Sequence, residues 1–126
     1  MWDARSQYLA NHDGDTVTYL SDLGRWVRHQ ADIRLENVFA PELSQPGGAD
    51  VADFVTHWHL TRMSNFHWPF LVTTSLVRAK TPDVSESKLS LARFVGQVTC
   101  IATGESLNQA VNDFVAANGY VRGTGG

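Results

Sequence analysis

The stretch WVRHQADIRLENVFAPELSQPGGADVADFVTHWHL, residues 26–60, changes its hydrophobic period part-way along. Residues 26–39 alternate roughly by two, which is the pattern of a strand with one face in a core. Pro41, Pro46, Gly47 and Gly48 then interrupt it. Such residues stop a sheet and stand where a helix can begin. Beyond them Val51, Phe54, Val55 and Trp58 fall at i, i+3, i+4 and i+7, the apolar stripe of a helix read here over 49–63. Asp50 and Asp53 lie near its first turn, where the helix dipole favours negative charge.

Upstream, residues 3–9 read weakly as a strand and 15–20 (DTVTYL) read well as one. Asp13-Gly14 and Leu23-Gly24 are the natural corners of a three-stranded meander, because Asp-Gly is a strong hairpin signal. Downstream, a fourth strand follows Pro69, and LARFVGQVTCIAT (91–103) is a fifth. The polar segment KTPDVSESK (80–88) between them reads as an exposed loop. GESLNQAVNDFVAANGY closes with a second helix, in which Ser106 and Gln109 form a capping box and Gly119 is the stop. The order is β-β-β-α-β-β-α, a mainly β chain with two helices (α+β). A five-stranded barrel with a helix between its third and fourth strands is the OB-fold order, although small barrels of other kinds share parts of it.

The 126 residues suit one domain with a sizeable core, and 43% hydrophobic with 18% charged residues is ordinary globular composition. No apolar run approaches the length of a membrane span, and MWDARSQYLAN lacks the basic and apolar regions of a signal peptide. The single cysteine, Cys100, excludes an internal disulfide and a cysteine-based metal cluster. A cytoplasmic or virion-associated protein is expected. Ten Lys+Arg against thirteen Asp+Glu give a net charge of −3, which disfavours strong non-specific binding to nucleic acid but allows a small, locally basic site.

That strand order would bring certain polar residues together. Asp15 starts the second strand, Arg34 lies in the third, Glu42 sits in the loop leaving it, and Arg93 interrupts the apolar fifth strand. Carboxylates supply hard oxygen ligands for Ca²⁺. Guanidinium forks match phosphate in bidentate fashion. A glutamate can orient or deprotonate water. These are the parts that phosphodiester hydrolysis requires, since charge builds on the equatorial oxygens. Taken singly, each is as consistent with a turn or a surface ion pair.

The segments DGDTV (13–17), IRLENVFAPEL (33–43) and ARFVGQV (92–98), followed by GESLNQAVNDFVAANG, resemble the staphylococcal-nuclease-like (thermonuclease) family. The similarity runs over residues 5–121 in the family's order, so the resemblance implies a single OB-fold domain over 1–121 with a flexible tail at 122–126. It implies Ca²⁺ bound by Asp15 and by the backbone carbonyl of Ala40. It implies Arg34 and Arg93 on the scissile phosphate, and Glu42 on the attacking water. In that reading Asp13-Gly14 makes the turn and Asp15 is the ligand.

The departures from the family pattern bear on activity. Phe39 stands where the family has a second metal-binding aspartate, and Leu91-Ala92 replaces a Tyr-Gly pair. The lysine-rich substrate loops have no counterpart. Asp13, Glu36 or water would have to complete the metal shell, so Ca²⁺ binding is expected to be weak or absent. Two functions follow. One is a Ca²⁺-dependent phosphodiesterase acting on DNA or RNA. The alternative is a catalytically degenerate domain serving as a structural or binding module with protein partners, for example in a bacteriophage particle. No membrane partner is expected.

His57, His59 and His67 raise the question of zinc. On a helix, positions 57 and 59 point about 200° apart and cannot share one ion. His12 and His29 are expected at the surface near the pocket. Trp26, Trp58, Phe66, Trp68 and Phe70 could stack bases, but their spacing suits core and lid positions better.

Overall fold

The computed structural model describes residues 2–63, 67–77 and 93–120, with backbone alone at 2, 76, 77 and 93. Phe66, the 80–88 loop, the 122–126 tail and the side chain of Arg93 lie outside the described residues. Five strands and two helices follow the expected order. They are β1 (Trp2–Asn11), β2 (Thr16–Asp22), β3 (Arg28–Leu35), α1 (Gly48–Leu60), β4 (Phe70–Val77), β5 (Arg93–Cys100) and α2 (Leu107–Ala117). The strands close a barrel in the order β1-β2-β3-β5-β4, an OB-like arrangement.

Closure depends on β1 and on one parallel seam. The first half of β1 pairs with β4 and the second half with β2, and Ser6 belongs to both ladders. The strand must bend there, and the register slips between Tyr8 and Ala10, as at a bulge. Ser6 and Ser21 hydroxyls meet at 2.8 Å in this buried corner. β3 and β5 run parallel over Ile33–Leu35 and Phe94–Gly96. Asn108 of α2 rivets that seam. Its side-chain amide donates to the Glu36 and Gly96 carbonyls at 2.9 and 3.2 Å, and its Oδ1 accepts from the Val98 N–H at 3.1 Å.

The period-two expectation for residues 26–39 overshoots at both ends. Trp26 belongs to the β2–β3 turn, and after Leu35 the chain breaks away through Asn37 at φ 59°. Val38 and Ala40 are still buried, which sustains the alternation after the strand has ended. On α1, Val51, Val55 and Trp58 are buried and Phe54 packs against the core, as the helical spacing requires. Ser106 caps α2 by accepting from the Gln109 N–H, but Gln109 turns away and donates to Asp113, so only half of the capping box forms. Gly119 (φ 66°) ends α2. Its N–H donates to Ala116 O, and the Tyr120 N–H donates to Val115 O, the two bonds of a Schellman motif. No helix among the described residues is long and apolar enough to cross a membrane.

Beneath the α1 end of the barrel lies a polar pair that periodicity does not disclose. The Tyr19 hydroxyl and His59 Nε2 are 2.6 Å apart, both fully buried. His59 Nδ1 lies 2.7 Å from the Val55 carbonyl, so Nδ1 carries the proton and Nε2 accepts from Tyr19. Tyr8 stacks on the imidazole at 4.2 Å, and Phe70 and Trp58 meet it edge-on. Both ring nitrogens are thus committed. Burial pushes the His59 pKa down to about 4 and raises that of Tyr19. The zinc question ends here for His59; His57 and His67 are exposed.

Candidate functional site at the mouth of the second strand

Ladder register builds the site. Thr16 of β2 pairs with Arg34 of β3, so the residue before the strand, Asp15, lies beside Arg34. The Leu35 N–H donates to the Asp15 carbonyl at 2.8 Å, extending the ladder by one step. Arg34 Nη1 stands 3.6 Å from Asp15 Oδ2, with both side chains about 15% exposed (15% and 14%).

Asp13 shapes the turn. Its Oδ1 accepts from the N–H groups of Asp15 and Thr16, each at 3.1 Å, which is an Asx-type turn. Gly14 is required for space and not for a positive φ. A Cβ there would sit 2.5 Å from Val51 Cγ1 and 2.8 Å from Ala40 Cβ. The turn is therefore pressed against the start of α1 and against the chain leaving β3. Asn11 fixes it there, donating to Asp13 O at 3.2 Å and to Ala52 O on α1 at 3.0 Å, while its Oδ1 accepts from Tyr8 and Thr56 hydroxyls. On the other side Asn112 of α2 donates to the Asn37 carbonyl at 2.9 Å. Side-chain amides on β1 and α2 thus hold both loops of the site.

The electrostatics are unbalanced. Burial, then the hydrogen bond and the negative charge of Asp13, push the Asp15 pKa up to about 6 despite Arg34 and the Thr16 hydroxyl, which pull it down. Among the described residues, one guanidinium faces two adjacent carboxylates in this half-closed pocket. Hard oxygen donors short of positive charge suit a cation such as Ca²⁺. The Ala40 carbonyl, on the residue touching Gly14, accepts no backbone N–H among the described residues. Asp13, Asp15 and Ala40 could therefore supply part of a Ca²⁺ shell and water the rest. Among the described residues no group of three His, Cys, Asp or Glu is placed to hold a metal.

The remaining expected residues are distributed unevenly. Phe39 is half-buried in the loop between Arg34 and Ala40. Glu36 does not join the carboxylates, because its Oε2 accepts from Gln97 of β5 at 2.9 Å. Glu42 is exposed, and its loop is held by the Glu42 N–H donating to Gln45 Oε1 at 2.9 Å. Arg93 opens β5 opposite Val77, on the strand that adjoins Arg34 through the Arg34–Val95 pair. Thus Asp15 and Arg34 meet, Ala40 packs against the adjacent Gly14, Glu42 stands on the loop that follows, and Arg93 is located by its backbone. Asn11, Asn108 and Asn112 were missed from sequence. In retrospect, an asparagine just before the turn and two at i, i+4 on a helix were the available signal. Neither a model of a known protein family nor any curated protein matches this chain.

Proposed function

We propose that the protein is a Ca²⁺-dependent phosphodiesterase of the thermonuclease-like type, hydrolysing DNA or RNA. The observation that supports this most is the placing of two carboxylates, Asp13 and Asp15, in one turn that faces Arg34. Among the described residues such a pocket sets two carboxylates against one guanidinium, a balance that favours a bound cation, and a guanidinium fork matches a phosphate. Ca²⁺, when bound at Asp13, Asp15 and Ala40, would supply neutralisation of the phosphodiester. Arg34 and Arg93 hold the non-bridging oxygens and offset the charge that grows on them. Glu42 accepts a proton from water as its oxygen bonds to phosphorus. The bond from phosphorus to the leaving sugar oxygen breaks, and solvent protonates that oxygen.

Phe39, and an Arg34 already paired with Asp15, favour a second reading, a structural or binding module with a retired centre. Cleavage of single-stranded DNA and RNA oligonucleotides in millimolar Ca²⁺, with EDTA as control, separates the two. The hydrolase reading expects Arg34→Ala and Glu42→Ala each to lower turnover about 10²–10³-fold, the worth of one preorganised contact. Wild-type protein that cuts neither polymer, with an Arg34→Ala variant that melts early, supports the module.

A further inference from the structure

The tip of the β2–β3 hairpin is built against local preference. The Val27 N–H donates to Gly24 O at 2.8 Å, closing a tight turn whose central residues are Arg25 (φ 51°) and Trp26 (φ 68°). Turns with two left-handed central residues are the domain of Asn and Gly. Each ordinary side chain there is strained. Trp26 is also 94% exposed, so its indole gains nothing from burial. Neither the turn nor the core explains why tryptophan is there.

The surroundings suggest a ligand. Trp26 and Arg25 line an open groove of about 370 Å³ together with Asp22, Arg28, His67 and Trp68. The Arg28 guanidinium lies over the Trp68 ring, 5.4 Å from its centroid, and His67 meets that ring edge-on. Asp22 is the opposing charge, and its Oδ1 is engaged by the Gly24 N–H at 2.9 Å. In a chain of net charge −3, two indoles and two guanidiniums are gathered around one groove. Aromatic faces with interleaved cations are the means by which proteins bind single-stranded nucleic acid. Period-two alternation also puts Arg28, Gln30, Asp32 and Arg34 on one outward face of β3. The single carboxylate on that path, Asp32, accepts from the Thr18 hydroxyl at 2.5 Å. The groove and the Asp15 site are therefore opposite ends of one strand pair, about 20 Å apart at 3.3 Å per residue.

We propose that this groove binds single-stranded nucleic acid, with Trp26 stacking on a base and Arg25 and Arg28 contacting phosphates. The choice of polymer rests on the hydrolase reading, but binding here needs no functioning centre. The test is fluorescence anisotropy of a fluorescein-labelled twelve-residue oligothymidylate with the full chain in EDTA, where hydrolysis is off. Trp26→Ala is expected to weaken binding about five- to a hundredfold, the worth of one base stack. Arg25→Ala with Arg28→Ala is expected to lower the slope of log affinity against log salt by about 1.4, at about 0.7 per phosphate on a single strand. Trp26→Gly separates ligand from scaffold, because it relieves the turn. It should raise the melting temperature while still losing the oligonucleotide. Unchanged binding by Trp26→Ala overturns the proposal. So does Trp26-dependent dimerisation or pelleting with anionic vesicles in place of oligonucleotide binding. Wild-type protein that binds through Trp26 in EDTA but cuts nothing in Ca²⁺ overturns the hydrolase and leaves this site. Cleavage by a Trp26→Ala variant that binds normally does the reverse.

Discussion

Lowering the pH from 7 to 4 should move Asp15 and His59 in opposite directions, and Asp15→Asn should unmask one of them. Asp15 has a folded-state pKa of about 6 against an ordinary 3.8. As pH rises from 4 to 6 the unfolded chain releases this proton first, so folding loses stability through that window. The penalty is complete above about 6 and gone below about 4. The shift corresponds to about 3 kcal/mol at 1.36 kcal/mol per unit, and screening through the pocket's open side leaves about 1–2 kcal/mol. His59 has the opposite sign, with a folded-state pKa of about 4 against 6.5. Its neutral ring contributes stability that is complete above 6.5 and lost as pH falls to 4, about 3 kcal/mol in all. The wild type shows the difference between the two, and Asp15→Asn removes only the first. Between pH 7 and pH 4 the variant should therefore lose about 1–2 kcal/mol more than the wild type. Urea unfolding followed by fluorescence at the two pH values measures this. With a slope near 2 kcal/mol/M, the extra loss is about 0.5–1 M in the midpoint. Any pH-independent cost of leaving Arg34 with an amide cancels in the double difference. Equal losses in the two proteins, or a larger loss in the wild type, would refute the account of Asp15 as a carboxylate short of a cation.

Two further outcomes follow from the same geometry. Asn108→Ala strands the Glu36 carbonyl and the Val98 N–H at the β3–β5 seam and leaves the Gly96 carbonyl with the Glu36 N–H alone, and should cost about 2–4 kcal/mol. Calorimetry should then show a melting temperature lower by about 8–15 °C at about 4 °C per kcal/mol; an unchanged value would mean that the amide does not hold the seam. Phe39→Asp adds a carboxylate beside Ala40 and should tighten Ca²⁺ binding about tenfold, since ligand charge sets such affinities. Isothermal titration of a folded variant with unchanged affinity would count against Phe39 standing at a ligand position.

The element order was legible because each switch of period coincides with a Pro or Gly, as at 41–48, 69 and 104. The approach of Asp15 to Arg34 was legible too, because a hairpin between them forces the register. The end of β3 was not, since Val38 and Ala40 continue the alternation while serving the barrel's end and not the strand. Nor was the scaffold of asparagines. A side-chain amide reaching a backbone carbonyl many residues away, as from Asn11 to Ala52 or from Asn112 to Asn37, leaves no periodic trace. His59 was noticed as a possible ligand, but its role depends on Tyr19, forty residues earlier. Trp26 was read as core or lid because spacing records hydrophobicity and not which side of a turn faces water.

The barrel is stitched unequally around its girth. β2–β3 is joined over seven residue pairs and β4–β5 over eight, whereas the described β3–β5 ladder spans three and one further N–H, from Glu36 to Gly96. Partial opening in native proteins follows the least-bonded boundary. Here that boundary divides the barrel at the join between its two sequence halves, and Arg34 lies at its midpoint. The amide proton of Gly96, whose backbone faces β3, should exchange with solvent ahead of those in the middle of β2 and β4. Breathing of the barrel wall then moves the strand that carries Arg34, and the Asn108 rivet on α2 governs how often it happens.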